Sequence, residues 1–145
     1  MTSIRAVVLA AALALSTAAC TDNSGTHYHP PDQSAIDTST NHATDLLAKS
    51  ASHGFAARPV ASGHDRADDA GHEVSQEVAG RALFQIVCAG TGQVTVTIPR
   101  QHVSKAVTCG SPAAGFRFRG ELTALVVGQR ASTGVYAWRI LPAAR

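Results

Sequence analysis

The pattern of apolar and polar positions divides the chain into three parts. Residues 6–15 form an unbroken apolar run, AVVLAAALAL. Residues 20–71 are mostly polar, and the large apolar residues among them are isolated. From residue 72 onward, short segments alternate apolar with polar residues, as strands do when one of their faces is buried. The pattern predicts a leader over 1–19, a tether over 20–71 and one β domain over 72–145.

Short strands account for nearly all of the third part. The segment 93–98 is the clearest, because Val94, Val96 and Ile98 share one face while threonines occupy the other. Glycines and prolines separate the segments, which is typical of small all-β domains. We therefore predict an antiparallel β-sandwich or barrel-like domain of six or seven strands. The predicted strands lie at 73–78, 82–88, 93–98, 103–109, 116–119, 122–127 and 135–141.

The tether prediction depends on composition. Ser, Thr, Asp, Asn, Pro, Gly and His dominate residues 21–71. So few large apolar residues cannot bury enough surface to offset the entropy lost on ordering the chain. A flexible, disordered segment is expected there, with a short helix around 43–50 as the one compatible element.

The N-terminus has the tripartite pattern of a secretory signal. Arg5 precedes the apolar run, and the small residues STAA follow it. The run is too short for a membrane span, which needs about 20 residues. Residues 1–19 are therefore predicted to be a cleaved signal peptide and the mature chain to be extracytoplasmic.

Cys20 stands where a lipoprotein signal ends. The sequence LSTAAC resembles the bacterial lipobox, in which small residues precede a cysteine that becomes diacylated. Ala18 and Ala19 fit that pattern, whereas Thr17 stands where Leu is usual. Lipid on Cys20 would anchor the protein to the outer face of the cell membrane by apolar burial. The alternative is ordinary cleavage after Ala19, which gives a secreted protein with a free N-terminal cysteine.

The other two cysteines form an even pair. An exported protein is in a compartment that permits disulfides. With Cys20 assigned to lipid, Cys88 and Cys109 are left to bond with each other. Such a cross-link suits a domain of this size, because small domains bury little apolar surface and often need a disulfide for stability.

Charge is distributed unevenly along the chain. Residues 21–80 hold nine acids and three bases, whereas residues 81–145 hold eight bases and one acid. Arg117 and Arg119 share a strand face opposite two phenylalanines, which makes them candidates for binding an anionic envelope polymer or lipid headgroups. The alternatives are a solvated outer face and an acidic stretch that folds back to neutralise the arginines. The acids just before the first strands are Asp65, Asp68, Asp69, Glu73 and Glu77. No nucleic-acid partner is predicted.

Candidate catalytic and metal-binding residues are sparse. His27 and His29 could approach one metal ion, but structural zinc usually takes four ligands in a folded frame. We predict no metal and no cofactor, and keep a His-rich metal carrier as an alternative. Residues 62–65 contain Ser, His and Asp, yet neighbouring residues cannot assemble a hydrolytic triad. A cryptic envelope hydrolase would require a deep polar pocket holding His102 and Glu121.

The motifs of the β region resemble those of a known group. Cys88 opens a C-x-G-x-G turn, Cys109 follows about twenty residues later, and Trp138 lies in the C-terminal strand. This pattern resembles small secreted lipoproteins of actinobacteria over residues 72–145. The resemblance implies the same extracytoplasmic location, β fold and disulfide. It implies no mechanism, because the group has no established activity. The sequence thus predicts a lipid-anchored, non-enzymatic envelope protein with a binding or structural role.

Overall fold

The computed structural model describes residues 33–130 and 132–145. The predicted signal peptide, the lipidation site Cys20, and the histidines His27 and His29 lie outside these residues, so the expectations for them remain predictions. No helix in the described part of the chain is long and apolar enough to cross a bilayer.

One α-helix and six strands form the described chain. The helix α1 spans Gln33–Ala48, and a single 3-10 turn covers Pro99–Gln101. All strand pairs are antiparallel, in the sheet order β1-β6-β2-β5-β3-β4. The strands are β1 Ala61–Arg66, β2 His72–Ala89, β3 Gln93–Ile98, β4 Val103–Thr108, β5 Ala114–Gly128 and β6 Val135–Pro142.

Two long strands bend the sheet into two layers. The pairing of β2 with β5 shifts register between Val78 and Arg81, at Gly80. Gly80 has a φ of 89° and Gly120, opposite Val78, a φ of 76°, and both values suit glycine best. A bulge of this kind kinks a strand and increases its twist. The first layer is β1, β6 and the adjoining halves of β2 and β5, and the second layer is their other halves with β3 and β4.

The inner faces of both layers contribute to one buried cluster. Phe84 lies at its centre, fully buried, with its ring centroid 5.9 Å from that of Phe116 and 6.2 Å from that of Trp138. Val94, Val96 and other apolar residues of the second layer join the same cluster. The fold is therefore the all-β, antiparallel class that the sequence predicts, and the predicted boundaries of β3 are confirmed.

A disulfide joins Cys88, near the end of β2, to Cys109, directly after β4. Two strands, β5 and β3, separate these two elements in the sheet order. The main-chain N–H of Gly110 also donates to the carbonyl of Cys88 at 2.8 Å. The disulfide thus links the end of the edge strand β4 to β2. It is formed by the cysteine pair that the sequence predicts.

The tether prediction is wrong for much of the segment 33–71. Helix α1 packs on the outer face of the first layer, where Ala43 and Leu47 are buried in a second cluster with Val87, Ala89 and Ala137. The compatible helix at 43–50 begins ten residues earlier, at Gln33. The sheet supplies the apolar partner that the helix sequence lacks, and tertiary packing of this kind stabilises most helices in proteins.

Strand β1 is the other element that the tether prediction missed. Its sequence ASGHDR has no large apolar residue, so no periodic pattern marks it. It pairs with β6 over six residues, from Ala61 opposite Ile140 to Arg66 opposite Val135. Backbone hydrogen bonding, together with the close approach of Gly63 to the Trp138 ring, holds this edge strand in place.

Candidate anion-binding groove

A groove of about 270 Å³ lies where β2 and β5 bend, beside the C-terminal residues of the chain. Arg81 and Arg117 line it with His53 and the ring of Phe55, and Arg119 stands directly across from Arg81 on the neighbouring strand. We call these five residues the basic groove. Its remaining lining residues are Gly54, Ala82, Phe118 and Ala143.

Backbone hydrogen bonds bring His53 and Phe55 to the strands. Phe55 forms an isolated β-bridge with Ala143. The N–H of Ala143 donates to the carbonyl of Arg81 at 2.9 Å, and the N–H of Ala144 donates to the carbonyl of Gly54 at 3.1 Å. The C-terminal residues therefore hold one wall of the groove against β2.

A buried polar clamp fixes the segment that leads into this wall. Gln85, 4% exposed on β2, donates from Nε2 to the carbonyl of Ala51 at 2.8 Å. Arg139 donates from Nε to Gln85 Oε1 at 2.8 Å and from Nη2 to the carbonyl of Ser50 at 3.0 Å. Burial lowers the pKa of Arg139 below its usual range. Because both side chains are satisfied, the clamp anchors the segment without leaving a polar group unpaired.

The arginines of the groove share one exposed face. Arg81 and Arg119 are direct cross-strand partners, and Arg117, two residues before Arg119, has the same orientation on β5. Side chains of directly opposed residues begin about 5 Å apart, and like charges placed there destabilise a sheet. The sequence predicted the pair Arg117 and Arg119, and the register adds Arg81 to it.

The carboxylate nearest in sequence to these arginines is already paired. Glu121, two residues beyond Arg119, forms an ion pair with Arg100, and its Oε2 lies 2.7 Å from Arg100 Nη1. Within residues 33–130 and 132–145, no carboxylate lies at ion-pair distance from Arg81, Arg117 or Arg119. The described structure therefore leaves three adjacent positive charges without an acidic partner.

Arg117 is held in place on two sides. Its guanidinium carbon lies 6.0 Å from the centroid of the Phe55 ring, within the range of a cation–π contact. The side chain of Gln101 donates to the main-chain carbonyl of Arg117 at 3.3 Å. The Phe55 ring thus contacts the guanidinium, and Gln101 fixes the main chain that carries it.

The acidic stretch does not fold back on these arginines in the described structure. Asp65 Oδ2 lies 3.0 Å from His72 Nδ1, and Asp68 Oδ1 lies 3.3 Å from His72 Nε2. The phenol of Tyr136 lies beside this group, and burial, followed by the charges of Asp65 and Asp68, raises its pKa well above the usual range. Asp65 and Asp68 thus contact a histidine at the start of β2 and not the arginines of the basic groove.

His102 and Glu121, the residues of the hydrolase alternative, line neither of the two depressions described for residues 33–130 and 132–145. His102 follows the 3-10 turn with a φ of 53°, and neither it nor Glu121 lines the basic groove. A second depression, of about 290 Å³ between α1 and β1, also excludes both. On β1, Ser62 and His64 are exposed, whereas Asp65 lies on the other face, so these three cannot act as a triad.

The structure offers few features that would hold a metal or cofactor. Across the described ranges, no three His, Cys, Asp or Glu side chains are grouped to bind a metal ion. In the same residues, no buried side-chain nitrogen or oxygen lacks a hydrogen-bond partner.

The C-x-G-x-G turn has a packing role. Gly90 and Gly92 have φ values of 93° and 100°, which side chains rarely adopt. A Cβ on Gly90 would approach Gly134 Cα to 2.9 Å, and one on Gly92 would approach Ser132 Oγ to 2.8 Å. The turn therefore requires both glycines to let the segment before β6 close over the disulfide.

Sequence reasoning found two of the five residues of the basic groove. Arg81 directly follows Gly80, and only the register across the bulge places it opposite Arg119. His53 and Phe55 belong to the segment predicted as tether, and their position depends on contacts with the last residues of the chain. No local pattern in the sequence signals either pairing.

Comparisons with known proteins leave the family open. No protein-family model matches the sequence, and no curated protein matches it. One solved structure is similar in fold, a chain described under "Bacillus endospore appendages form a novel family of disulfide-linked pili". It shares 18% identity with this chain, covers 59% of it and 85% of its own length, and has a TM-score of 0.42. A similarity of this degree supports no functional conclusion for this chain.

Proposed function

We propose that this chain is a non-catalytic, lipid-anchored protein of the cell envelope whose β domain binds anionic envelope material through the basic groove. The observation that carries the binding role is the set of three neighbouring arginines without a carboxylate partner among the described residues. The anchoring role depends on residues 1–20, in which a signal-like segment is followed directly by Cys20.

Several features support an extracytoplasmic location. A structural disulfide is rare in reducing compartments and common in exported proteins. The resemblance to small secreted lipoproteins of actinobacteria supports the same address and the lipid on Cys20. An arginine face on a membrane-tethered domain would stand close to anionic headgroups and envelope polymers, where each base contributes about 1 kcal/mol near an anionic surface.

Lipidation is the first expected outcome. Intact mass of the mature protein should show a diacylglycerol-modified Cys20 at the N-terminus, and Cys20→Ala should release the protein from the membrane into the medium. The lipid supplies the membrane affinity in this proposal, because its chains are buried in the bilayer. An unmodified N-terminal Cys20 in the wild type would contradict lipid anchoring.

Binding to anionic material is the second expected outcome. The mature chain with Cys20→Ser should bind isolated anionic envelope polymer at low salt, and Arg117→Ala with Arg119→Ala should weaken binding at least tenfold. Two charge-assisted contacts are lost in that variant. Sedimentation with the polymer, repeated at rising salt, measures the effect, since exposed charges are screened within about 8 Å at physiological ionic strength.

A charge-matched control separates the groove from net charge. Lys105→Ala with Arg130→Ala removes two exposed positive charges outside the groove. This control should retain most of the binding. Equal loss in both double variants would show that binding follows total charge, and the proposed role of the groove would then be wrong.

A further inference from the structure

We propose that the basic groove recognises the terminal phosphate of a phosphomonoester, with the organic part of the ligand against the ring of Phe55. The proposal rests on the binding function given above and specifies the chemical class of its ligand. The number of donors, the charge and the size of the groove all favour this class.

The donors exceed what one carboxylate can accept. Each guanidinium carries five N–H donors in a planar fork, and one fork satisfies the two oxygens of a carboxylate. Arg81 and Arg117 line the groove with two forks, and Arg119, opposite Arg81 on the same face, stands beside it with a third. A phosphomonoester has three terminal oxygens around one centre, so it can accept from two or three forks at once.

The charge of the site also matches a phosphomonoester. Such a group carries about −1.5 to −2 near neutral pH, whereas a carboxylate or a phosphodiester carries −1. The direct opposition of Arg81 and Arg119 is unfavourable in the free protein. A dianion in the groove beside this pair relieves more of the repulsion than a monoanion does, so occupancy should also stabilise the fold.

The shape of the groove limits the rest of the ligand. Its volume of about 270 Å³ lies just below the roughly 300–1,000 Å³ usual for drug-sized ligands. Phe55 and Ala143 give the groove an apolar side, and Ala82 and Phe118, which are buried in the core, complete its lining. A phosphate attached to a small polyol or sugar fits these dimensions, with its carbon skeleton along the Phe55 ring.

Calorimetric titration of the mature chain with Cys20→Ser tests the preference. Glycerol phosphate is expected to bind at least tenfold more tightly than acetate or the diester dimethyl phosphate. Arg81→Gln should reduce the affinity for glycerol phosphate about tenfold or more, because it removes one charge-assisted fork and leaves a shorter, neutral polar side chain. Circular dichroism of the variant, together with the Lys105→Ala and Arg130→Ala control, excludes loss of folding or of net charge as the cause.

A pH series adds a readout that a merely basic surface would not give. A phosphomonoester loses its second charge below about pH 6, so its affinity should fall between pH 7.5 and pH 5. Sulfate keeps its charge over this interval and reports any change in the protein groups that line the groove, His53, Arg81 and Arg117, or stand beside it, Arg119. Equal pH profiles for sulfate and glycerol phosphate would overturn the assignment.

Binding experiments with vesicles and with envelope polymer identify the source of the phosphate. They also separate this inference from the proposed function. Vesicles containing phosphatidic acid present the same group on a lipid, and displacement of the protein from them by glycerol phosphate would support a headgroup in the groove. Binding of the soluble ester without binding to vesicles would support a non-lipid source. Arginine-dependent binding of envelope polymer with no preference for glycerol phosphate over acetate would overturn the phosphomonoester class alone. Absence of binding to polymer and ester alike would overturn both proposals.

Discussion

Removal of the Cys88–Cys109 cross-link should lower the free energy of unfolding by roughly 3 kcal/mol. The disulfide joins residues 21 apart in sequence, and closing a loop of this length reduces the entropy of the unfolded chain by about that amount. Its position increases the consequence, because it ties β2 to the residue after β4 across two intervening strands. Denaturant unfolding of the wild type and of Cys88→Ala with Cys109→Ala measures the difference.

Reduction of the wild type provides the matched control. Cys88 is fully buried, and Gly134 lies so close that an added Cβ would be 2.9 Å from Cys109 Sγ. Alanine therefore removes packing as well as the cross-link, whereas reduction with the sulfur atoms retained removes the cross-link alone. The reduced wild type should lose most of the 3 kcal/mol. Equal stability of oxidised and reduced protein, or labelling of free thiols in the unreduced denatured chain, would contradict the prediction.

The strands of the core could be predicted because their side chains alternate. Val94, Val96 and Ile98 repeat with a period of two, and the predicted segment 93–98 is strand β3. The segments 73–78 and 82–88 were predicted as separate strands, and they form one strand, β2, with a bulge at Gly80. Alternation locates the inward positions, but it does not distinguish a strand that ends at a glycine from one that bends there.

The elements before residue 72 were missed because their order depends on the rest of the fold. Helix α1 buries only Ala43 and Leu47, too little apolar surface to predict a packed helix from its own sequence. Its partner is the outer face of β2 and β6, where Val87 and Ala137 are buried. Composition indicates whether a segment can fold alone, and it does not indicate whether a neighbouring surface will order it.

Only part of the basic groove could be predicted from the sequence, because its other residues are brought in by long-range pairing. Arg117 and Arg119 are two residues apart on one strand, so the period of two places them together. Arg81 joins them through strand register, and Phe55 joins through a bridge to Ala143. Long-range pairings of this kind carry no local signature. The same pairings bring Arg81, Arg117 and Phe55 around one small groove, with Arg119 beside it.

The second large effect is expected at Gly128, where Gly128→Ala should destabilise the fold by about 3 kcal/mol. The N–H of Gly128 donates to the carbonyl of Asp68 at 2.6 Å, and the neighbouring Ala67 is buried in the main core. A Cβ on Gly128 would overlap the carbonyl of Ala67 and approach the nitrogen of Asp68 to 2.7 Å. Backbone atoms cannot rotate away as a side chain can, so the link between β1 and β2 must move, at a cost typical of severe overpacking.

Gly115→Ala is the matched control on the same strand. Its added Cβ would meet only the terminal Cδ1 of Leu83, at 3.3 Å, and a side-chain tip can shift by a few tenths of an ångström. The control should change stability by less than about 1 kcal/mol, with a contribution of favourable sign from the reduced entropy of the unfolded chain. Hydrogen exchange should show lost protection at the amides of Ala67 and residue 128 in Gly128→Ala alone, since these amides donate to Gly134 and Asp68. Equal stability of the two variants would mean that the link over 67–71 is not held against β5, and the attachment of β1 to the sheet would then depend on β6 alone.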